Sequence, residues 1–203
     1  SSCGGEPPKS SNKYLVGAYF YTWYPINFMR GGHLRQFLKP PQEPELGHYA
    51  ANDRKVLEQQ IAWCSRYGID FIAVDYWPKR PSQNKAFLDN LLAAKNLDDV
   101  KFCLFFETHN LGFDKGEGWV EFTPQAIEAL AKSVGQAAKR YFGHKSYLRV
   151  GGRPVLILYL SRNFFGDVAG AIKALRAAVK EQGHQVYLIG DEVFWKGTGW
   201  SDK

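Results

Sequence analysis

Four carboxylates, Asp75, Glu107, Asp191 and Glu192, each close a short apolar run, and rings stand beside them: Tyr76 and Trp77 after Asp75, and His109 two places after Glu107. Tyr21, Tyr24 and Tyr159 lie at the ends of two further apolar runs. Acids and rings placed together suit carbohydrate. Sugar rings carry apolar C–H faces that lie against aromatic planes, and carboxylates accept hydrogen bonds from sugar hydroxyls. Cleaving a glycosidic bond needs two carboxyl groups roughly 5 to 9.5 Å apart across the scissile bond. Glu107 is the foremost candidate catalytic residue, because Phe105 and Phe106 before it set it in dry surroundings, where a carboxyl can hold a proton and act as an acid. Tyr21, Tyr24, Asp75, Tyr76, Trp77, His109, Tyr159, Asp191 and Glu192 are candidate substrate-binding residues. A plainer reading stands beside each: an acid at a strand end caps the next helix, and a ring there packs between layers.

Metal chemistry finds no support in the spacing. The histidines His33, His48, His109, His144 and His184 form no i, i+4 pair and have no cysteine company, and Cys3, Cys64 and Cys103 are far apart. No metal, cofactor or disulfide framework is therefore expected, and Cys64 and Cys103 read as buried free thiols. The net charge of +6 comes from scattered Lys and Arg rather than a basic stripe, which argues against nucleic acid as a partner. With 45% hydrophobic and 23% charged residues the chain has the composition of a globular protein. No run is long enough to span a bilayer.

The residues that would position this chemistry alternate between two patterns. Apolar and aromatic runs at 14–23, 71–76, 101–106, 153–160 and 186–190 read as strands, and those without polar alternation read as strands buried on both faces. Between them lie helical patterns: Asn52 or Asp53 to Gly68, about Asn84 to Lys95, Thr123-Pro124 to about Phe142, and Asp167 to Gly183. Residues 26–51 show no periodicity and form a long loop after the first strand. Strict alternation predicts a parallel α/β sheet whose ligands meet the carboxyl ends of the strands. Two architectures fit. A doubly wound sheet suits the length, but Tyr21-Thr22-Trp23-Tyr24-Pro25 is bulky where a dinucleotide fold has glycines. A (β/α)8 TIM barrel suits the acid and aromatic strand ends, and the chain then supplies about its first five strands and four helices.

Residues 1–13 read as a flexible tether, with 14–203 as the barrel part. The start, Ser1-Ser2-Cys3-Gly4-Gly5, resembles the region after a bacterial lipoprotein signal, which makes Cys3 a lipidation candidate and the expected location extracytoplasmic, membrane-bound only through that anchor.

Three stretches, GAYFYTWY, ELGHYAANDRKVLEQQIAWCSRYGIDFIAVDYW and KRYFGHKSYLRVGGRPVLILYL, together resemble the glycoside hydrolase family 99-like proteins, which include endo-α-mannosidases and WbsX-like domains. The resemblance covers about Tyr14 to Glu192. It implies a (β/α)8 barrel acting on glycans, with Tyr21, Tyr24, Asp75 and Trp77 at positions that line sugar subsites. The family's third strand ends in a pattern like H-I-E-P-Y. Here Phe105-Phe106-Glu107-Thr108-His109 keeps the acid as Glu107 and has Phe105 in place of the leading His. The catalytic carboxylate pair of the family lies in a late N-E-W-x-E-G type motif, which does not occur in these residues. The resemblance thus implies a hydrolase that cleaves within a polysaccharide or oligosaccharide, its catalytic pair downstream. The alternative is a glycan-binding or polysaccharide-assembly protein on the same barrel. Neither the sugar nor the oligomeric state can be read from the residues.

Overall fold

A computed structural model describes residues 14–25, 39–40, 42–111, 113 and 119–190. Two compact units share the chain: residues 14–75 with 80–103, and residues 76–79 with those from 104 onward.

In the first unit, β1 (Gly17–Phe20) runs parallel to the start of β2 (Phe71–Tyr76), in the register Gly17↔Phe71 to Phe20↔Val74. Glycine is required at 17, since a Cβ there would fall 2.1 Å from the Phe71 ring. Asp70 fixes this pairing from both sides: its N–H donates to Val16 O at 2.8 Å and its Oδ2 accepts from Val16 N at 2.7 Å. Helix α1 (Arg54–Arg66) begins where Asp53 accepts the Lys55 N–H at 2.8 Å, and buries Leu57 and Ile61. It stops ahead of Gly68, whose φ of 79° needs a residue without a Cβ. Helix α2 (Pro81–Leu92) starts three residues before the sequence pattern suggests, because Pro81 supplies its first turn. It buries Phe87, Leu88 and Leu91, and Phe87 meets Phe20 at 5.7 Å between ring centres.

Strand β3 (Lys101–Phe106) opens in the first unit, where Lys101 N donates to Asp70 O at 2.9 Å, and closes in the second, where Glu107 N donates to Tyr76 O at 3.0 Å. Phe102 to Phe106 are all buried, at 1% exposure or less, so this strand has no wet face.

In the second unit, β3 continues parallel to β6 (Arg153–Leu158), in the register Leu104↔Leu156 to Phe106↔Leu158, and β6 is parallel to β8 (Tyr187–Gly190). The short β5 (Arg149–Val150) folds back on β6 through Gly151-Gly152, whose φ values of 56° and 76° suit a two-residue hairpin turn. Tyr147 locks the sheet from inside: its hydroxyl accepts from Leu104 N at 3.1 Å and donates to Val155 O at 2.9 Å.

Helix α3 (Pro124–Ala137) starts from Thr123, whose hydroxyl accepts from Ala126 N, and runs on through a π turn, Ala138–Phe142. Helix α4 (Val168–Glu181) starts from Asp167, which accepts the Gly170 N–H at 2.8 Å. Ahead of these two helices lie β4 (Val120–Phe122) and β7 (Phe164–Gly166), which form a separate two-stranded parallel sheet absent from the sequence expectation. No helix among the described residues is long and apolar enough to cross a membrane.

Candidate functional site

The candidate site lies in the second unit, where β2, β3 and β6 end side by side. Past the formal strand ends the ladder carries on: Glu107 N donates to Tyr76 O, and Tyr159 N donates to Phe106 O, both at 3.0 Å. These bonds set Trp77, Glu107 and Tyr159 at one edge of the sheet. A 3-10 turn, Thr108–Leu111, follows at once. Asn110 N closes it on Glu107 O at 2.9 Å, and the Thr108 hydroxyl donates to Phe106 O at 3.3 Å.

That turn brings His109 back over Glu107. His109 Nδ1 lies 3.0 Å from Glu107 Oε2, with the Glu107 side chain 6% and the His109 side chain 24% exposed. The distance marks a contact, yet Oε2 receives no aligned hydrogen bond among the described residues, so the pair is close but off the hydrogen-bond line. On the other edge of the imidazole, Asn110 Nδ2 is 2.9 Å from Nε2. The ring is bracketed by aromatics, Trp77 edge-on at 6.5 Å and Tyr159 tilted at 5.7 Å between centres. Tyr159 in turn meets Phe105 edge-on at 5.0 Å. Directly after Tyr159 the chain turns at Leu160, a non-glycine residue held at φ 53°. That backbone form costs about 1–2 kcal/mol, and it is stored beside the candidate site.

Trp77, Glu107, His109 and Tyr159 are thus brought together. Trp77, His109 and Tyr159 keep partly open faces, and Glu107 is nearly enclosed. Tyr76 differs from expectation. It is 8% exposed, stacked on Phe106 at 5.7 Å and edge-on to Tyr141 at 6.4 Å. Alternation along β2 gives it the face opposite to that of Asp75, so its ring packs toward the π turn after α3.

In the first unit, Asp75 is 2% exposed at the end of β2. Tyr21 is half exposed beside Trp23, at 5.2 Å between rings. Tyr24 is held by two residues the sequence reading did not single out for a site: Tyr49 lies 4.3 Å away ring to ring, and His48 Nδ1 is 3.2 Å from the Tyr24 hydroxyl. Burial, then the nearby Tyr49 and Glu43, raise the Tyr24 pKa, so its hydroxyl remains a hydrogen-bond donor. His48 and Tyr49 do fall inside the ELGHYAAND stretch that carries the resemblance. Asn110 was likewise missed; only the turn that folds it against His109 reveals it. Asp191, Glu192 and Cys3 lie outside the described residues. Among the described residues no group of three or more His, Cys, Asp or Glu could hold a metal ion.

Alternating strands and helices, with acid and rings at the carboxyl ends of the strands, define the class: a (β/α)8 barrel, of which this chain supplies the opening strands and helices. The GH99 endo-alpha-mannosidase from Bacteroides thetaiotaomicron has this fold in common with it, at TM-score 0.56 and 17% identity over 86% of this chain and 54% of that one. The structure of that mannosidase in complex with bis-tris-propane gives TM-score 0.58 and 18% identity, over 87% of this chain and 52% of that one. The chain therefore spans about half the length of the solved chains it matches. No curated protein matches it. The family described as Glycosyltransferase WbsX matches residues 9–201, and the chain belongs to that family.

Proposed function

We propose that this protein processes glycans, and that these residues supply sugar-binding groups of a (β/α)8 barrel. The observation that carries the reading is the second-unit cluster: a nearly enclosed carboxylate, Glu107, beneath His109 and flanked by Trp77 and Tyr159. Partly open rings can stack on the C–H face of a sugar, while the carboxylate accepts a hydrogen bond from a hydroxyl. Membership of the WbsX family and the mannosidase fold support the same substrate class.

The finer reading is hydrolysis of a glycosidic bond within a polysaccharide or oligosaccharide. Glu107 orients sugar hydroxyls, and the catalytic carboxylate pair is expected downstream. The family's description as a glycosyltransferase favours a second reading, in which a sugar hydroxyl rather than water attacks the same anomeric carbon. Product analysis of the full-length protein with α-mannotetraose and polysaccharide-derived oligosaccharides separates the two: free reducing ends mark hydrolysis, and longer chains mark transfer. A protein that binds these sugars without turnover would be the non-catalytic alternative.

Glu107→Gln tests the site itself. Losing a charge-assisted hydrogen bond of about 1.5–3 kcal/mol lowers affinity roughly 10- to 150-fold. Glu107 has no part in sugar binding if affinity for every oligosaccharide tested, and turnover by the full-length protein, both match wild type.

A further inference from the structure

We infer that Asn110 is a positioning residue that selects one tautomer of His109 and through it sets Glu107 as a pure hydrogen-bond acceptor; this rests on the glycan reading of the same cluster. The amide nitrogen of Asn110 is 2.9 Å from His109 Nε2. An amide N–H2 only donates, so Nε2 must offer its lone pair, and a neutral imidazole then carries its single proton on Nδ1. Nδ1 is the atom that stands 3.0 Å from Glu107 Oε2. The donor therefore stands beside the carboxylate, off the hydrogen-bond line, and a rotation of the ring would bring it into line.

The opposite tautomer would leave a lone pair on Nδ1 beside the carboxylate, with no donor to turn toward it. Glu107 would then lack the donor that sets its orientation, and it would be less well placed to accept a hydrogen bond from a sugar hydroxyl. An imidazolium would turn its Nε2–H onto the Asn110 N–H2, so that state requires the amide to present its oxygen instead. With its N–H2 toward the ring, the amide thus favours the Nδ1–H tautomer over the Nε2–H one. The 3-10 turn holds the main chain of these residues together, since Asn110 N is bonded to Glu107 O.

The test is imidazole 15N and 13C NMR of His109 in the full-length protein without sugar. The expected spectrum has Nδ1 protonated and Nε2 bare. Asn110→Asp offers a carboxylate to Nε2–H, so the ring should become imidazolium over a wider pH range, with its titration midpoint raised. Asn110→Ala removes the selection, and the Nε2–H form should grow. Wild-type signals from an Nε2–H ring, or an unaltered tautomer in Asn110→Ala, overturn the inference. A second measurement follows α-mannotetraose and polysaccharide-derived oligosaccharides: Asn110→Ala should weaken binding on the order of tenfold while its melting temperature stays near wild type. Expected tautomers with wild-type affinity in Asn110→Ala would overturn the link from ring to sugar. Expected tautomers with no sugar bound by any form would uphold the positioning role and overturn the glycan reading.

Discussion

Removing the Tyr147 hydroxyl should loosen the strands that carry the candidate site. Tyr147 is 2% exposed and its oxygen makes two buried bonds, accepting from Leu104 N and donating to Val155 O, one on β3 and one on β6. In Tyr147→Phe the ring keeps its packing on Phe142, 4.9 Å between centres, so little cavity opens. The Leu104 N–H, however, loses its acceptor in a place without water, at a cost of about 1–3 kcal/mol. The Val155 carbonyl loses one donor but has a second lone pair, which adds about 1 kcal/mol at most. The expected destabilisation is therefore about 1–4 kcal/mol. Urea unfolding should show a lower midpoint with an unchanged slope, since the native surface hardly alters. A shift below about 0.5 kcal/mol would refute the argument, because it would mean that Leu104 N finds another partner without the tyrosine.

Two further expectations concern groups away from the site. Burial pushes the Cys103 thiol up to about 12, so at pH 8 a disulfide reagent should label it only as the chain unfolds; rapid labelling of Cys103 in the folded protein contradicts the burial. His184 lies 6.2 Å from the Phe142 ring, and burial, then the Arg149 charge, lower its pKa from the ordinary 6.5. As pH falls the unfolded chain therefore binds this proton first. The His184 contribution is intact above about pH 6.5 and is lost as pH falls through that value toward the folded one. His184→Gln should flatten that stretch of the stability curve, and an unaltered slope would remove His184 from it.

The helices were legible because their starts are written in short-range chemistry. Asp53, Thr123-Pro124 and Asp167 cap the helices as their residue types suggest. Helix α2 was misplaced because Arg80 offers no side-chain cap, which leaves Pro81 as its only local start signal. The buried strands were legible as unbroken apolar runs, and β3 falls exactly where its run does. The run 14–23 promised a longer β1 than Gly17–Phe20, since aromatic residues continue past the paired segment and only the register with β2 marks its ends. Strands β4 and β7 could not be read. Each has three residues, and each is a strand only because its partner lies far along the chain. At the site, strand ends located Trp77, Glu107 and Tyr159, but composition could not say which face Tyr76 takes. Asn110 becomes visible only when the turn after β3 has a shape.

Glu107 itself tests whether the cluster exists for folding or for binding. Its carboxylate is nearly enclosed, and its only ion-pairing partner among the described residues is His109, whose contact is off the hydrogen-bond line. No Lys or Arg among the described residues pairs with it. Taking a carboxylate out of water costs several kcal/mol, and a lone neutral imidazole returns only part of that. A group kept solely for stability would be better replaced by an uncharged one of the same shape. Glu107→Gln keeps the shape, leaves an oxygen for His109 and removes the charge. If the carboxylate serves a ligand, this variant should bind sugar less well yet melt higher, by on the order of 1 kcal/mol in the ligand-free protein. Matched thermal and urea unfolding of wild type and variant decide it. A lower melting point would show that the carboxylate holds the strand ends together, and its place in a sugar site would then lose its physical reason.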